Sequence, residues 1–155
     1  MVIDHVGIVV RSLSEGLTQW ESLFGYRRAS TVVTNSHQKV NVAFLSKSGS
    51  LTVKLIEPSD DTSPIAMFAR KGGGLHHICF KCDSVNTTIP ELKAQGARLI
   101  ASPQPGEAFN NHDIAFLLVP GNLNVELIDT SEKYGWDDSA TATSQVAPAL
   151  AESNE

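Results

Sequence analysis

Ile3-Asp4-His5-Val6-Gly7-Ile8 returns 72 residues later as Leu75-His76-His77-Ile78-Cys79-Phe80, and this repetition decides the fold. Ala43-Phe44-Leu45 recurs at the same offset as Ala115-Phe116-Leu117, and Val53-Lys54-Leu55-Ile56-Glu57 as Val125-Glu126-Leu127-Ile128-Asp129. One duplicated module therefore pairs His5 with His77 and Lys54 with Glu126. Duplicated units bury their apolar faces against each other. Four strand positions related by a pseudo-two-fold axis can converge on one point, so a metal site can arise from two half-sites.

Within module one, residues 2–10 are almost all apolar or small and read as a buried strand. Leu13, Leu17, Trp20 and Phe24 follow at helical spacing. Ser12 and Glu15 form a capping box ahead of them, and Gly25 stands where a C-terminal cap belongs. Strand patterns near 26–34, 38–46 and 51–57 complete a βαβββ module, the last two joined across Ser48-Gly49-Ser50. Module two opens with strand 75–82. Its shorter helix is expected to carry Pro90 in the first turn, Leu92 inward and a stop at Gly96. Strands near 98–102, 113–119 and 123–129 follow. The expected organisation is one domain over 1–131, with module one at 1–58, a linker at 59–74 and module two at 75–131. The Ala-, Ser- and Thr-rich tail over 132–155 is expected to be disordered or weakly held.

Alternation sorts the strand faces. Val6, Ile8 and Val10 share one side of the first strand, and His5, Gly7 and Val9 the other. Ile78 and Phe80 oppose His77 and Cys79, Val125 and Leu127 oppose Glu126, and Val53 and Leu55 oppose Lys54. The apolar sides suit the helices. The other sides carry His5, Lys54, His77 and Glu126 onto a shared concave surface, where burial is costly unless they meet a metal, a ligand or each other. Alternation puts His76 on the helix side. Asn41, Asn110, Asn111 and His112 are candidates for the pocket edge, although loop asparagines commonly serve turns.

The bulk numbers exclude several roles. With 41% apolar and 19% charged residues the composition is that of a globular protein. No apolar run approaches the roughly 20 residues that span a bilayer. A net charge of −5 without a basic stripe argues against nucleic acid as a partner. Cys79 and Cys82 have C-x-x-C spacing, but i and i+3 on a strand face opposite sides, so two reduced thiols in a cytoplasmic protein are expected.

The arrangement resembles the vicinal oxygen chelate superfamily, which includes glyoxalase I, methylmalonyl-CoA epimerases, extradiol dioxygenases and bleomycin-resistance proteins. The resemblance covers residues 2–130. It rests on Ile3-Asp4-His5-Val6-Gly7-Ile8, Glu57-Pro58 with Ser63-Pro64-Ile65, Gly74-Leu75-His76-His77-Ile78 and Val125-Glu126-Leu127. These motifs are most similar to those of the epimerases. The resemblance implies metal ligands at His5, His77 and Glu126. The second ligand position, Glu or Gln in many family isomerases and lyases, is Lys54 here, and an ammonium has no lone pair to donate. Three readings follow. Lys54 turns away and leaves two histidines and a carboxylate as a facial set. Alternatively, burial and a metal strip its proton, and it serves as a base or Schiff-base amine. In the third, its charge replaces the metal and pairs with Glu126. Two further departures are Val40-Asn41-Val42, where some epimerases place a second carboxylate, and Ala108-Phe109-Asn110-Asn111-His112-Asp113, where family members carry a glycine-rich loop.

The expectation is thus an α+β fold in which two βαβββ modules form a cupped, mostly antiparallel eight-stranded sheet around one cavity. The expected function is a divalent-metal isomerase or lyase of epimerase or glyoxalase type, using Zn, Co, Ni, Mn or Fe. Its substrate is a small carboxylate, thioester or hydroxycarbonyl compound, its intermediate an enediolate, and its catalytic residues Glu126 and Lys54. The alternatives are a metal-free small-molecule binding protein of the resistance type and a non-haem Fe(II) oxygenase. The resemblance also implies a homodimer, with no membrane partner.

Overall fold

Strand β1 (Val2–Val9) and its repeat-mate β6 (Gly74–Lys81) run antiparallel, side by side, and form the seam of the molecule. The computed structural model of the protein describes residues 1–141. Each seam strand has a parallel neighbour from its own module, β5 (Thr52–Pro58) beside β1 and β9 (Leu123–Ile128) beside β6. Outside these lie β4 (Val40–Ser46) and β8 (His112–Val119), both antiparallel to their neighbours. With β2 (Arg27–Arg28) and β7 (Arg98–Gly106) at the ends, the order is β2–β4–β5–β1–β6–β9–β8–β7. The triplet β4–β5–β1 is mirrored by β8–β9–β6 across the seam, as the sequence repeat requires.

The expected α+β sheet is present, open and mixed, with nine strands among the described residues instead of eight. The difference lies near 26–34, where β2 stops and β3 (Val33–Asn35) starts afresh on β4. Between them the Phe44 N–H donates to Ser30 Oγ at 2.9 Å, so a side chain takes over a ladder contact and the strand is interrupted.

Helix α1 (Leu13–Phe24) begins where Ser12 Oγ accepts the Glu15 N–H and ends at Gly25, whose left-handed φ of 66° suits glycine. It packs on Val6, Ile8, Val53 and Leu55, the helix-side residues of β1 and β5. Helix α3 (Val85–Ala94) covers the equivalent surface of module two through Val85, Ile89 and Leu92. Pro90 lies in its second turn rather than the first. The helix starts earlier because the Asp129 carboxylate accepts the Val85 N–H at 3.3 Å, and Pro90 sits on the exposed face. A short helix α2 (Ala66–Arg70) sits within the linker. No helix among the described residues is long and apolar enough to cross a membrane.

The opposite face of the sheet carries its own core, including Val42, Phe44, Ile56, Phe109 and Ile114. Trp136 packs on it from the chain's far end. Residues 134–137 are held there by the Tyr134 N–H to Ala108 O, the Asp137 N–H to Ala29 O and a bridge between Ser30 and Trp136. The start of the expected weak tail is therefore a strap over the inner face. The rest of that expectation, 142–155, lies outside the described residues. Cys79 is buried on the inner face, while Cys82 packs beneath α3, so the two thiols point to opposite sides.

Candidate active site

The β1–β6 seam is interrupted twice, and both interruptions matter for the site. Ile3 pairs with Phe80 and His5 with Cys79, leaving Asp4 as an extra residue. Gly7 pairs with His77 and Ile8 with Leu75, leaving His76 extra. Such bulges turn consecutive side chains toward one face. They fall at repeat-equivalent positions. This corrects the placement of His76, which lines the pocket beside His77 instead of facing the helices. The signal was visible as two adjacent polar residues opening each module, Asp4-His5 and His76-His77, which strict alternation cannot accommodate.

The structure brings His5, Lys54, His77 and Glu126 together, all but sealed from solvent: His5 and Glu126 are 0% exposed, His77 1% and Lys54 2%. Glu126 is the hub. Its Oε2 lies 2.9 Å from both His5 Nε2 and His77 Nε2. Lys54 Nζ donates to Oε1 at 3.0 Å and to Oε2 at 3.2 Å. The two histidine Nε2 atoms are 3.4 Å apart. Phe44 meets the edge of His5 and its repeat-mate Phe116 the edge of His77, with ring centroids 5.4 Å apart in both pairs. Lys54 Nζ also sits 4.9 Å from the Phe109 ring centroid.

Charge and burial compete here. Burial pushes the Glu126 carboxyl up, but Lys54 and the two histidines overrule it and hold it well below the usual carboxylate range. Burial drives His77 down to about 4, against the pull of Glu126 and with a further push from Lys54 and His5. His76 is also lowered, chiefly by burial. Unfolded, His77 would titrate near its ordinary 6.5, so between about pH 4 and 6.5 the unfolded chain binds more protons than the folded one. Stability should therefore rise with pH across that window. Acidification to pH 4 should cost about 3 kcal/mol through His77 alone, and Glu126 should add to the loss below 4.5. Urea titrations of chelator-treated protein at several pH values test this. The slope between pH 4.5 and 6.5 should shrink in His77→Gln.

The donor set fits a divalent metal. His5 Nδ1 faces Asp4 Oδ1 at 2.8 Å, and a carboxylate can only accept, so Nδ1 carries the proton. In the neutral ring Nε2 is then a lone pair aimed at Glu126 Oε2. Two electron-rich atoms at 2.9 Å need a proton or a cation between them. His5, His77 and Glu126 each offer one ligand atom, all within 4.8 Å of one another. Two imidazoles and a carboxylate suit Zn, Fe, Co, Ni or Mn. Lys54 is the one member that cannot ligate as an ammonium.

Gly7 makes room for this arrangement. A Cβ at Gly7 would clash with the Cε1, Nε2 and Nδ1 atoms of the His77 ring. Gly7→Ala should push that ring off Glu126, lower stability by about 1–3 kcal/mol and remove Co(II) uptake. Urea denaturation and metal titration read both. Unchanged Co(II) binding would show that His77 is not a ligand.

In front of the cluster lies a pocket of about 440 Å³. Lys54, His76 and His77 form its polar end, with His5 and Glu126 behind them. Val42, Ile56 and Phe116 supply apolar wall. Asn124, two residues before Glu126 on the same face of β9, also lines it and was legible by alternation. Asn41, Asn110, Asn111 and His112 do not line it. Asn41 Oδ1 accepts from Thr34 Oγ1 at 2.7 Å, the Asn110 amide donates to Glu132, and His112 faces Glu132 as well.

Two βαβββ halves around a shared pair of histidines and a carboxylate define the vicinal oxygen chelate class. The family model described as Glyoxalase/Bleomycin resistance protein/Dioxygenase superfamily matches residues 4–116, and the chain belongs to that superfamily. It is 36% identical to the uncharacterized protein YqjC of Bacillus subtilis, over 86% of this chain and 93% of that one. It is 29% identical to an ethylmalonyl-CoA/methylmalonyl-CoA epimerase of Cereibacter sphaeroides, over 84% of this chain and 96% of that protein. The crystal structure of methylmalonyl-CoA epimerase from Mycobacterium tuberculosis superposes with a TM-score of 0.71 at 28% identity, covering 82% of this chain and 86% of that one.

Proposed function

We propose that the chain is a divalent-metal epimerase of a small CoA thioester whose α-carbon carries a second carboxylate. The observation carrying this reading is the convergence of two repeat-related histidines and one carboxylate behind a pocket. Similarity to a CoA-thioester epimerase over 84% of the chain supports it. His5, His77 and Glu126 would hold the ion, which would supply positive charge where an enolate oxygen develops. Lys54 faces the pocket and, as an ammonium, donates to the same developing oxyanion. Lys54 lines the pocket and is the group that exchanges a proton with the α-carbon: after its ammonium passes a proton to Glu126, 3.0 Å behind it, the neutral amine takes the α-hydrogen and returns it. Asn41, engaged by Thr34, leaves no carboxylate on β4 to do this work. The apolar wall keeps water from the reacting carbon.

The test is hydrogen exchange in D2O. With Co(II) or Mn(II) supplied, methylmalonyl-CoA or ethylmalonyl-CoA should lose its α-hydrogen signal in proportion to protein concentration. Glu126→Gln should abolish the exchange. Metal-loaded protein that exchanges neither compound above the buffer rate sinks the thioester reading.

One observation favours a second reading, a metal-free binding protein. Lys54 Nζ already holds both oxygens of Glu126, so a cation fills the carboxylate. Small-molecule binding that a chelator leaves unchanged, with no exchange activity, would select it.

A further inference from the structure

We infer that Asp4 and His76 are a matched pair of positioning residues, turned inward by the two repeat-equivalent bulges to fix the ring protons of His5 and His77. This rests on the proposed metal site and deepens it. In each module the bulged residue immediately precedes the histidine and touches its Nδ1: Asp4 Oδ1 lies 2.8 Å from His5 Nδ1, and His76 Nδ1 lies 2.9 Å from His77 Nδ1. Without the bulges both side chains would project from the opposite face of the sheet.

The two halves use different chemistry at the same position. Asp4 is a carboxylate, and its second oxygen is committed to Lys133 Nζ at 3.0 Å, so it is pinned from the strap. It accepts the His5 Nδ1 proton and leaves His5 Nε2 as a lone pair. His76 is an imidazole. Were a metal to take the place of the proton between His77 Nε2 and Glu126 Oε2, the remaining His77 ring proton would lie on Nδ1, where His76 Nδ1 accepts it. The His76 proton then resides on Nε2, an N–H that the pocket can offer to a ligand oxygen. A metal-binding histidine needs such an outer partner to set its tautomer and ring orientation, and losing one typically costs 10–100-fold in metal affinity.

Two measurements on the full chain test this. The first is long-range proton–nitrogen NMR of the imidazoles in chelator-treated protein. It should show Nδ1 of His5 protonated in the wild type. His77 should change its pattern of ring protonation in His76→Leu, while the His5 pattern stays. An unprotonated His5 Nδ1, or a His77 ring indifferent to His76, overturns the inference whether or not the protein binds metal. The second is calorimetric titration with Co(II). Asp4→Ala and His76→Leu should each weaken binding roughly 10–100-fold while circular dichroism shows the wild-type fold at the temperature of the titration. His76→Asn, which keeps an acceptor, should restore part of the loss. Affinities within twofold of wild type in both variants also overturn the inference. Wild type that takes up no Co(II) at all defeats the metal-epimerase reading instead, and the NMR result then decides the positioning roles alone.

Discussion

Lys54→Gln should bind divalent metal at least about 100-fold more tightly than the wild type. Glutamine retains an amide oxygen that can ligate, and it removes a positive charge that already occupies Glu126. Two unit charges about 4 Å apart at an effective dielectric of 20 differ by about 4 kcal/mol from a neutral neighbour, and a divalent ion feels more. The wild-type ammonium touches both Glu126 oxygens, at 3.0 and 3.2 Å, so an incoming ion must either displace it or share the carboxylate with it. The substitution has a second consequence. Metal-free Lys54→Gln retains a wholly buried carboxylate that has lost its lysine partner, so its fold should be metal-dependent. Its melting temperature should climb on addition of Mn(II) or Co(II), and the wild type should respond much less. Calorimetric titration and thermal melts measure the two effects. Equal or weaker metal binding in the variant would mean that Lys54 already lies outside the coordination sphere when metal is bound.

The sequence repeat made the architecture legible because a constant offset leaves little freedom. Once His5 and His77 occupy the same module position, a pseudo-two-fold seam between β1 and β6 follows. The inner faces of β5 and β9 then bring Lys54 opposite Glu126. Alternation gave the faces of four strands because they are regular at those positions. It failed at His76 because a bulge adds one residue and breaks the period of two. Residues 26–34 read as one strand because composition cannot show that Ser30 Oγ takes the Phe44 N–H. The strap at 134–137 was hidden for a different reason. Trp136 sits beside Tyr134 in a stretch with no apolar period, and its contacts with Phe44 and the inner core come from the far end of the chain. The polar end of the pocket needed both kinds of information. Lys54 and His77 followed from the repeat, and the placement of His76 from the pairing register, which explains the adjacent polar pair His76-His77.

Glu126→Gln should destabilise the metal-free fold by about 3–5 kcal/mol, since it leaves the Lys54 ammonium buried without its counter-charge. The volume barely changes, so the loss reads as charge and not as a cavity. Lys54→Met should be costly for the mirror-image reason, with Glu126 left between two histidines. The double variant Lys54→Met/Glu126→Gln separates these effects. With both charges removed, the low-dielectric site no longer has to desolvate either, and stability should return close to wild type or above it. Urea midpoints of the four proteins form a double-mutant cycle, and the coupling should exceed about 2 kcal/mol. Simple additivity would mean that the two groups do not form an ion pair in solution. Recovery in the double variant carries a functional implication. A buried ion pair that apolar or neutral groups can replace without loss contributes little to the fold, so the role of Lys54 at the centre of this sheet is chemical. The double variant should then be stable yet inert in the deuterium-exchange assay.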